Sequence, residues 1–380
     1  MTRNAFGTVE KRGKVWRIRW VAGGQRHSKT VDGSRADAVR ELARIQIETE
    51  GLERDATWGD YWEYRVEPSF ELDGLAERTR EDYRASWRRL QPYIAERWVS
   101  KTTPMLVEGV LAKVKPDGVR VHAARLWRKM CRMAMRDGAL LRDPFAMVRV
   151  KAPERRQKRL LDVTEVTGWL EAIEGLKYEP VLLCELGGGL RHEEACALTW
   201  EDVEEWPYRG AVYAVLSVSK ALVVTERGKM LKATKTAFSG REVVLGEPFA
   251  SRLLALKGTG PLLPSGVVDN AKPEARYASP ATMTHNWRTW CTRHGVAYVA
   301  PKNLRSTFAT IHGEAGSPDS LVSGAMGHAD GTTKARNYQQ MTRRGGALIA
   351  DNLTEWISKA QDVPEMNPKP QVSGLSVTDL

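Results

Sequence analysis

The segment 148–159, VRVKAPERRQKR, constrains this chain more than any other stretch. It is strongly basic, nearly free of apolar residues and interrupted by Pro153. Such a stretch buries too little surface to join a core, so residues 149–159 read as a linker between separately folded blocks. The length of 380 residues agrees, because one hydrophobic core does not usually grow that large. Two or three domains are expected.

Charge is concentrated around that linker. The chain carries a net +11. Residues 1–30 hold eight Lys/Arg and one acid, and residues 120–159 hold thirteen and three, so the remainder is net acidic. Charge gathered this way fits a polyanionic partner, most simply nucleic acid. Cys131, Cys184, Cys196 and Cys291 show no CxxC spacing and sit among apolar residues, which predicts buried, reduced thiols. No apolar run reaches membrane length and MTRNAFGTVEKRGK lacks a signal-peptide core. The expected location is the cytoplasm of a bacterial host, with no membrane partner.

Ahead of the linker, two patterns are legible. In Val15-Trp16-Arg17-Ile18-Arg19-Trp20 the period is two, which puts Trp16, Ile18 and Trp20 on one strand face and Arg17 and Arg19 on the other. Gly23-Gly24 supplies a hairpin turn, and Ser34 with Asp37 boxes the start of a helix to about Glu50. A sheet with one basic face suits a DNA major groove. Residues 57–147 then read as helical. Thr79 and Asp82 suggest one start, Thr103-Pro104 another, and a helix over Val119–Asp137 closes at Gly138. Its apolar stripe is Val121, Ala124, Trp127, Cys131 and Ala134. Arg125, Arg128, Lys129, Arg132 and Arg136 cover the rest, and with Arg155 and Arg156 of the linker they are candidate DNA-backbone contacts.

Beyond the linker, Thr164 predicts a helix start and Tyr178–Leu186 a second helix that Gly187-Gly188-Gly189 breaks. Tyr213–Ser219, Ala221–Thr225 and Lys229–Leu245 read as strands, the last as a hairpin. The acids in 201–205 read as a solvated turn. Helices resume after Ser279 and run to about Ala360, and the last twenty residues read as a loose tail. The fold class is α+β and multidomain: a small N-terminal β-sheet plus helix, an all-α block, and a mainly α domain with a small antiparallel sheet.

The chemistry-bearing residues come in order: Arg191-x-x-Glu194, Lys235 in Thr234-Lys235-Thr236, Leu304-Arg305, Gly327-His328 and Tyr338. Arginine's fork matches two phosphate oxygens and stays protonated. Tyrosine serves as a covalent nucleophile, and nearby cations favour its ionised form. Phosphoryl transfer rests on positioning and charge stabilisation, which such a set supplies. Laid out this way, the chain resembles the tyrosine recombinase (phage integrase) family. The resemblance covers about 160–345, extends more loosely to the helical block, which is similar to the family's core-binding domain, and includes an N-terminal segment similar to an arm-type DNA-binding domain.

The resemblance implies an arm-type domain at 1–52, a core-binding domain at 56–148, a catalytic domain at 160–350, and a C-terminal helix end and tail at 351–380. It implies Tyr338 as nucleophile, Arg191, Arg305 and His328 as phosphate ligands, Lys235 as general acid and Glu194 as a support for Arg191. Lys229 and Lys232 compete with Lys235. Lys302 stands where the family usually has histidine, three residues before the second arginine. His328 and Tyr338 are ten residues apart, one more than the frequent spacing, which suggests an insertion around Gly331.

The implied activity is site-specific DNA recombination through a 3′-phosphotyrosine link, integrating or excising a phage or mobile element. No cofactor and no metal are expected. GxxxxGK followed by Ser or Thr is missing, and His192-Glu193-Glu194-Ala195-Cys196 does not make the HExxH zinc pattern. The implied partners are double-stranded DNA at core and arm attachment sites, a homotetramer on that DNA, a host DNA-bending protein and an excision factor. Leu348, Ile349, Leu353, Trp356 and Ile357 offer an apolar stripe for docking on a neighbour or on the same subunit. Two alternatives are a type IB topoisomerase-like enzyme and a non-catalytic DNA-binding regulator.

Overall fold

A computed structural model describes residues 7–22, 25–50, 56–154, 157–233, 240–267, 272–327 and 342–361. The chain divides into two compact units, Met1–Arg155 and Arg156–Leu380.

The first unit opens with three antiparallel strands, β1 (Gly7–Arg12), β2 (Val15–Ala22) and β3 (Gln25–Val31), in the order β1-β2-β3. The period-two pattern of β2 sets its two faces. Ile18 is fully buried against Ala38, Leu42 and Ile45 of helix α1 (Arg35–Glu50), with Trp16 and Trp20 beside it, while Arg17 and Arg19 are exposed opposite. Ser34 and Asp37 form the expected box: the Ser34 backbone N–H donates to Asp37 Oδ2 at 2.7 Å, and the Asp37 N–H donates back to Ser34 Oγ at 3.2 Å.

Helices α2 (Trp58–Tyr61), α3 (Glu67–Leu72), α4 (Glu77–Ile94), α5 (Pro104–Lys113) and α6 (Asp117–Arg136) enclose a second core. Trp58 anchors it, edge-on to Tyr61 and Trp127, with its indole N–H donating to Thr102 Oγ1 at 2.8 Å. Thr103 caps α5 as its sequence suggests. Thr79 and Asp82 do not cap α4. Helix α4 begins at Glu77, and the Thr79 N–H already donates to the Ala76 carbonyl at 2.8 Å inside the first turn. On α6 the buried face is wider than expected, taking in Ala123, Leu126, Met130 and Met133, while Val121 is only half-buried.

In the second unit, α7 (Val166–Ile173), α8 (Glu179–Gly188), α10 (Phe249–Ala255), α11 (Pro280–His294), α12 (Pro301–Glu314), α13 (Asp319–Met326) and α14 (Arg343–Gln361) surround one large core, with the short α9 (His192–Ala195) among them. A 3₁₀ turn over Val163–Glu165 precedes α7, and its cap is Asp162, which accepts from the Thr164 N–H; Thr164 is inside the turn. Helix α8 does not break at Gly187. It continues to Gly188, and both positions leave no room for a side chain: a Cβ on Gly187 would lie 2.6 Å from Phe249 Cγ, and one on Gly188 2.9 Å from Leu190 Cδ1.

Among the described residues of this unit, five strands form two sheets: β4 (Val203–Tyr208), β5 (Ala211–Val218) and β8 (Arg241–Leu245) in one, β6 (Lys220–Thr225) and β7 (Gly228–Ala233) in the other. Two expectations change here. The acid run is a solvated turn only in its first part: Glu201 is exposed in a 3₁₀ turn over Trp200–Asp202, while Val203–Glu205 enter β4, whose Val203 is buried and whose exposed Glu204 pairs with Arg343 at 2.7 Å. The stretch 229–245 is not one hairpin either, because β7 pairs with β6 and β8 with β5. The apolar end of β8 belongs beside the buried centre of β5. Helix α14 turns Ile349, Leu353 and Ile357 into its own unit's core, with Trp356 partly buried; Leu348 stays 49% exposed. That places most of the expected docking stripe inside the subunit. All four cysteines are free and buried.

Candidate active site

The site begins at a turn that only glycine fits easily. Helix α8 ends at Gly189 with φ at +63°, a left-handed conformation that side chains disfavour. A Cβ there would also lie 2.5 Å from Phe308 Cδ1 of α12. The tight turn buries Leu190 and sends Arg191 out in extended conformation at the start of α9.

Glu194, one turn on, fixes Arg191 twice. Its Oε2 accepts from the Arg191 backbone N–H at 3.0 Å and its Oε1 from Arg191 Nη1 at 2.7 Å. Arg191 Nη2 donates to the Gly327 carbonyl at 3.1 Å, across 136 residues of sequence. Glu194 also takes Arg241 Nη2 on Oε2 at 2.8 Å. Burial pushes the Glu194 carboxyl up, but the hydrogen bond and charge of Arg241, with Arg191, outweigh it and hold the group below the ordinary glutamate range.

Arg305 comes from α12 and donates through Nη1 to the Gly189 carbonyl at 2.7 Å. Its Nη2 is buried and has no hydrogen-bond partner among the described residues. Burial and then the charge of Arg191 lower its pKa to about 10. A buried guanidinium with a donor unmatched among the described residues has the chemistry to bind an anion's oxygen. Lys302 sits one turn earlier on α12 and is exposed.

The structure therefore gathers Arg191, Glu194 and Arg305 and puts Lys302 on the same helix as Arg305. Lys235, His328 and Tyr338 lie outside the described residues, as do Arg155 and Arg156. Of the rival lysines, Lys229 is occupied: its Nζ donates to the Tyr277 and Ala275 carbonyls at 2.6 and 3.2 Å. Lys232 is half-buried on β7. His192 is no ligand waiting for zinc. It is buried, with Nδ1 2.6 Å from Glu185 Oε1 and Nε2 2.9 Å from the Pro280 carbonyl.

Among the described residues, the site also holds Arg241, which the sequence does not single out. Its only local signal is a lone arginine ahead of the apolar run Val243-Val244-Leu245. In the first unit the basic candidates differ in kind. Arg125 and Arg132 are exposed, with no ion pair to a described residue. Lys129 pairs with Asp73 at 3.0 Å, Arg136 with Asp137 at 3.3 Å, and Arg128 lies over the Phe145 ring at 4.9 Å. Arg19 meets Glu10 at 3.3 Å, and Arg17 is exposed. No helix among the described residues is long and apolar enough to cross a membrane.

Residues 158–344 match the model of the phage integrase family. No curated protein matches the chain in sequence. Among solved structures, the Tn1549 transposon integrase in complex with a circular intermediate DNA matches with a TM-score of 0.58 at 16% identity, covering 78% of this chain and 99% of that one. A lambda integrase dimer bound to a COC′ core site matches with a TM-score of 0.53 at 15% identity, covering 90% and 97%. A lambda integrase tetramer bound to a Holliday junction matches at 0.52 and 15%, covering 88% and 98%. At these identities the likeness is one of fold.

Proposed function

We propose that this chain, whose residues 158–344 match the phage integrase family, is a tyrosine-type site-specific DNA recombinase that cuts and rejoins DNA through Tyr338 during integration or excision of a phage or similar mobile element. The observation that carries the chemistry is the pair Arg191 and Arg305. Glu194 and the Gly327 carbonyl hold the Arg191 guanidinium, the Gly189 carbonyl holds Arg305, and Arg305 keeps a buried donor with no partner among the described residues. A phosphodiester would supply the missing acceptor and relieve the repulsion between the two cations.

In the proposed reaction the Tyr338 phenolate attacks the scissile phosphorus. The bond from phosphorus to the 5′ oxygen breaks as Lys235 gives that oxygen a proton. The products are a 3′-phosphotyrosyl link and a free 5′-hydroxyl. Arg191, Arg305 and His328 hold the non-bridging oxygens, where negative charge grows. Lys302 adds a cation at the edge of the site. Religation reverses these steps with a partner strand's 5′-hydroxyl, and the covalent link conserves the free energy of the bond. Each donor to the phosphoryl oxygens is expected to be worth about 10²–10³ in rate.

Residues 1–52 would bind arm sites through Arg17 and Arg19, and residues 56–148 the core site through the α6 arginines. The basic linker at 149–159 and the catalytic segment at 160–350 complete the enzyme, with 351–380 as helix end and tail. The partners are double-stranded DNA and further copies of this chain, arranged as a tetramer. A host DNA-bending protein, an excision factor and a bacterial cytoplasmic location complete the reading.

The test uses a nicked duplex carrying the element's own junction, incubated with the full-length protein and no ATP. A recombinase gives a protein–DNA adduct that resists detergent. A DNA-binding regulator binds the duplex and gives none, and that result would overturn the proposal. Supercoil relaxation without joining of paired sites would favour the topoisomerase-like alternative instead.

A further inference from the structure

Arg241 is the most enclosed guanidinium around Glu194. Its side chain is 5% exposed, against 40% for Arg191. A charge this buried is tolerated only where its donors are well matched. Arg241 meets that condition by holding two separate things. Its Nη2 and Nη1 donate to Glu194 at 2.8 and 3.4 Å, and its Nε donates to the Ala325 carbonyl at 2.6 Å.

Both of those groups bear on Arg191. Glu194 accepts from the Arg191 backbone and guanidinium. Gly327, two residues past Ala325, accepts from Arg191 Nη2 at 3.1 Å. Gly327 itself lies on Arg241. It has φ at +64°, and a Cβ there would stand 2.8 Å from Arg241 Nη1. Arg241 has a fixed base to work from, because it starts β8 and pairs in register with Val218 of β5.

We propose that Arg241 is a positioning residue for DNA cleavage: it fixes the Glu194 carboxylate and the Ala325–Gly327 turn, and through both it aims the Arg191 fork at the scissile phosphate. The proposal rests on the recombinase reading above. Lysine cannot take over the role, since one ammonium lacks the rigid fork that reaches Glu194 and Ala325 together.

The test compares full-length wild type with R241Q, R241K, E194Q and the double variant R241Q/E194Q. Adduct formation is followed in single turnover on saturating nicked junction duplex, beside affinity for the same duplex. R241Q is expected to cleave about a hundredfold more slowly with unchanged affinity, as a displaced catalytic group does. R241K keeps the charge and the fold and recovers only part of that loss. The double variant is expected to be no slower than E194Q, because both act through one carboxylate. In a crystal structure of DNA-free R241Q, Arg191 no longer bridges Glu194 and Gly327. Wild-type cleavage by R241Q, losses that multiply in the double variant, or an unmoved Arg191 would each overturn the proposal. If wild type itself forms no adduct, the recombinase reading fails separately, and the position of Arg191 in R241Q still decides this one.

Discussion

Glu194 grips Arg191 at both ends: one carboxylate oxygen takes the backbone N–H at 3.0 Å, the other takes Nη1 at 2.7 Å. The pairing fixes the residue's backbone and its guanidinium from one point. It turns a long flexible side chain into a preorganised donor, which is the form of electrostatic stabilisation that costs least reorganisation during reaction. The second cation, Arg305, is tied to the Gly189 carbonyl two residues earlier. One glycine turn therefore sets the spacing of both.

Removing the Glu194 carboxylate should destabilise the fold as well as the site. Glu194→Ala removes the buried carboxylate that Arg241 and Arg191 share, and breaking a buried ion pair costs about 3–5 kcal/mol in comparable cases. Equilibrium urea unfolding measures it, and a loss under about 1 kcal/mol would show that the pair is not buried as described.

Gly189→Ala should lower stability and cleavage together. A methyl group there faces a left-handed backbone and the Phe308 ring at 2.5 Å. Strain and overpacking together are expected to cost about 2–4 kcal/mol. Adding Phe308→Leu should return part of the stability by making room. A double variant no better than G189A would mean that backbone conformation alone carries the cost.

How much of this was legible in the residues differs from place to place. The faces of β2, the box at Ser34 and the cap at Thr103 rest on spacings of two or three residues, and they read directly. The glycine run marks the end of α8, but the helix runs on to Gly188 before Gly189 turns the chain. Strand β4 and the separate partners of β7 and β8 did not read directly, since pairing is a non-local choice that a mixed pattern leaves open. Arg241 was hidden for the same reason: its partners lie 47 and 84 positions away. The stripe on α14 was visible, but a stripe does not name its acceptor; the core of its own unit takes Ile349, Leu353 and Ile357.

Stability should depend on pH through His312. Burial lowers its pKa to about 4, and Nδ1 lies 2.9 Å from Ser317 Oγ. The unfolded chain takes up this proton near the ordinary value of about 6.5. The stability tied to neutral His312 is therefore whole above that value and lost as pH falls toward 4. It amounts to about 2 kcal/mol between pH 7 and 5. Urea midpoints across that range should fall more steeply for wild type than for His312→Gln, and parallel curves would contradict the assignment.

Salt dependence should separate the α6 cations. Arg125 and Arg132 are exposed and pair with no described residue, while Lys129 pairs with Asp73 and Arg128 covers Phe145. Replacing Arg125 or Arg132 by glutamine should each reduce the slope of log K against log salt for core-site binding by about 1. Lys129→Gln should change it less. Arg17→Gln with Arg19→Gln should weaken arm-site binding and spare core cleavage; equal losses at both would sink the assignment of residues 1–52.

The most direct measurement is to digest the adduct formed on nicked junction DNA and sequence the peptide joined to the phosphate. The account predicts a single modified peptide with the 3′ phosphate on Tyr338, no adduct from Tyr338→Phe, and adduct formation slowed by about 10²–10³ in Arg191→Gln and in Arg305→Gln. A phosphate on another residue, or an undiminished adduct from Tyr338→Phe, would contradict it.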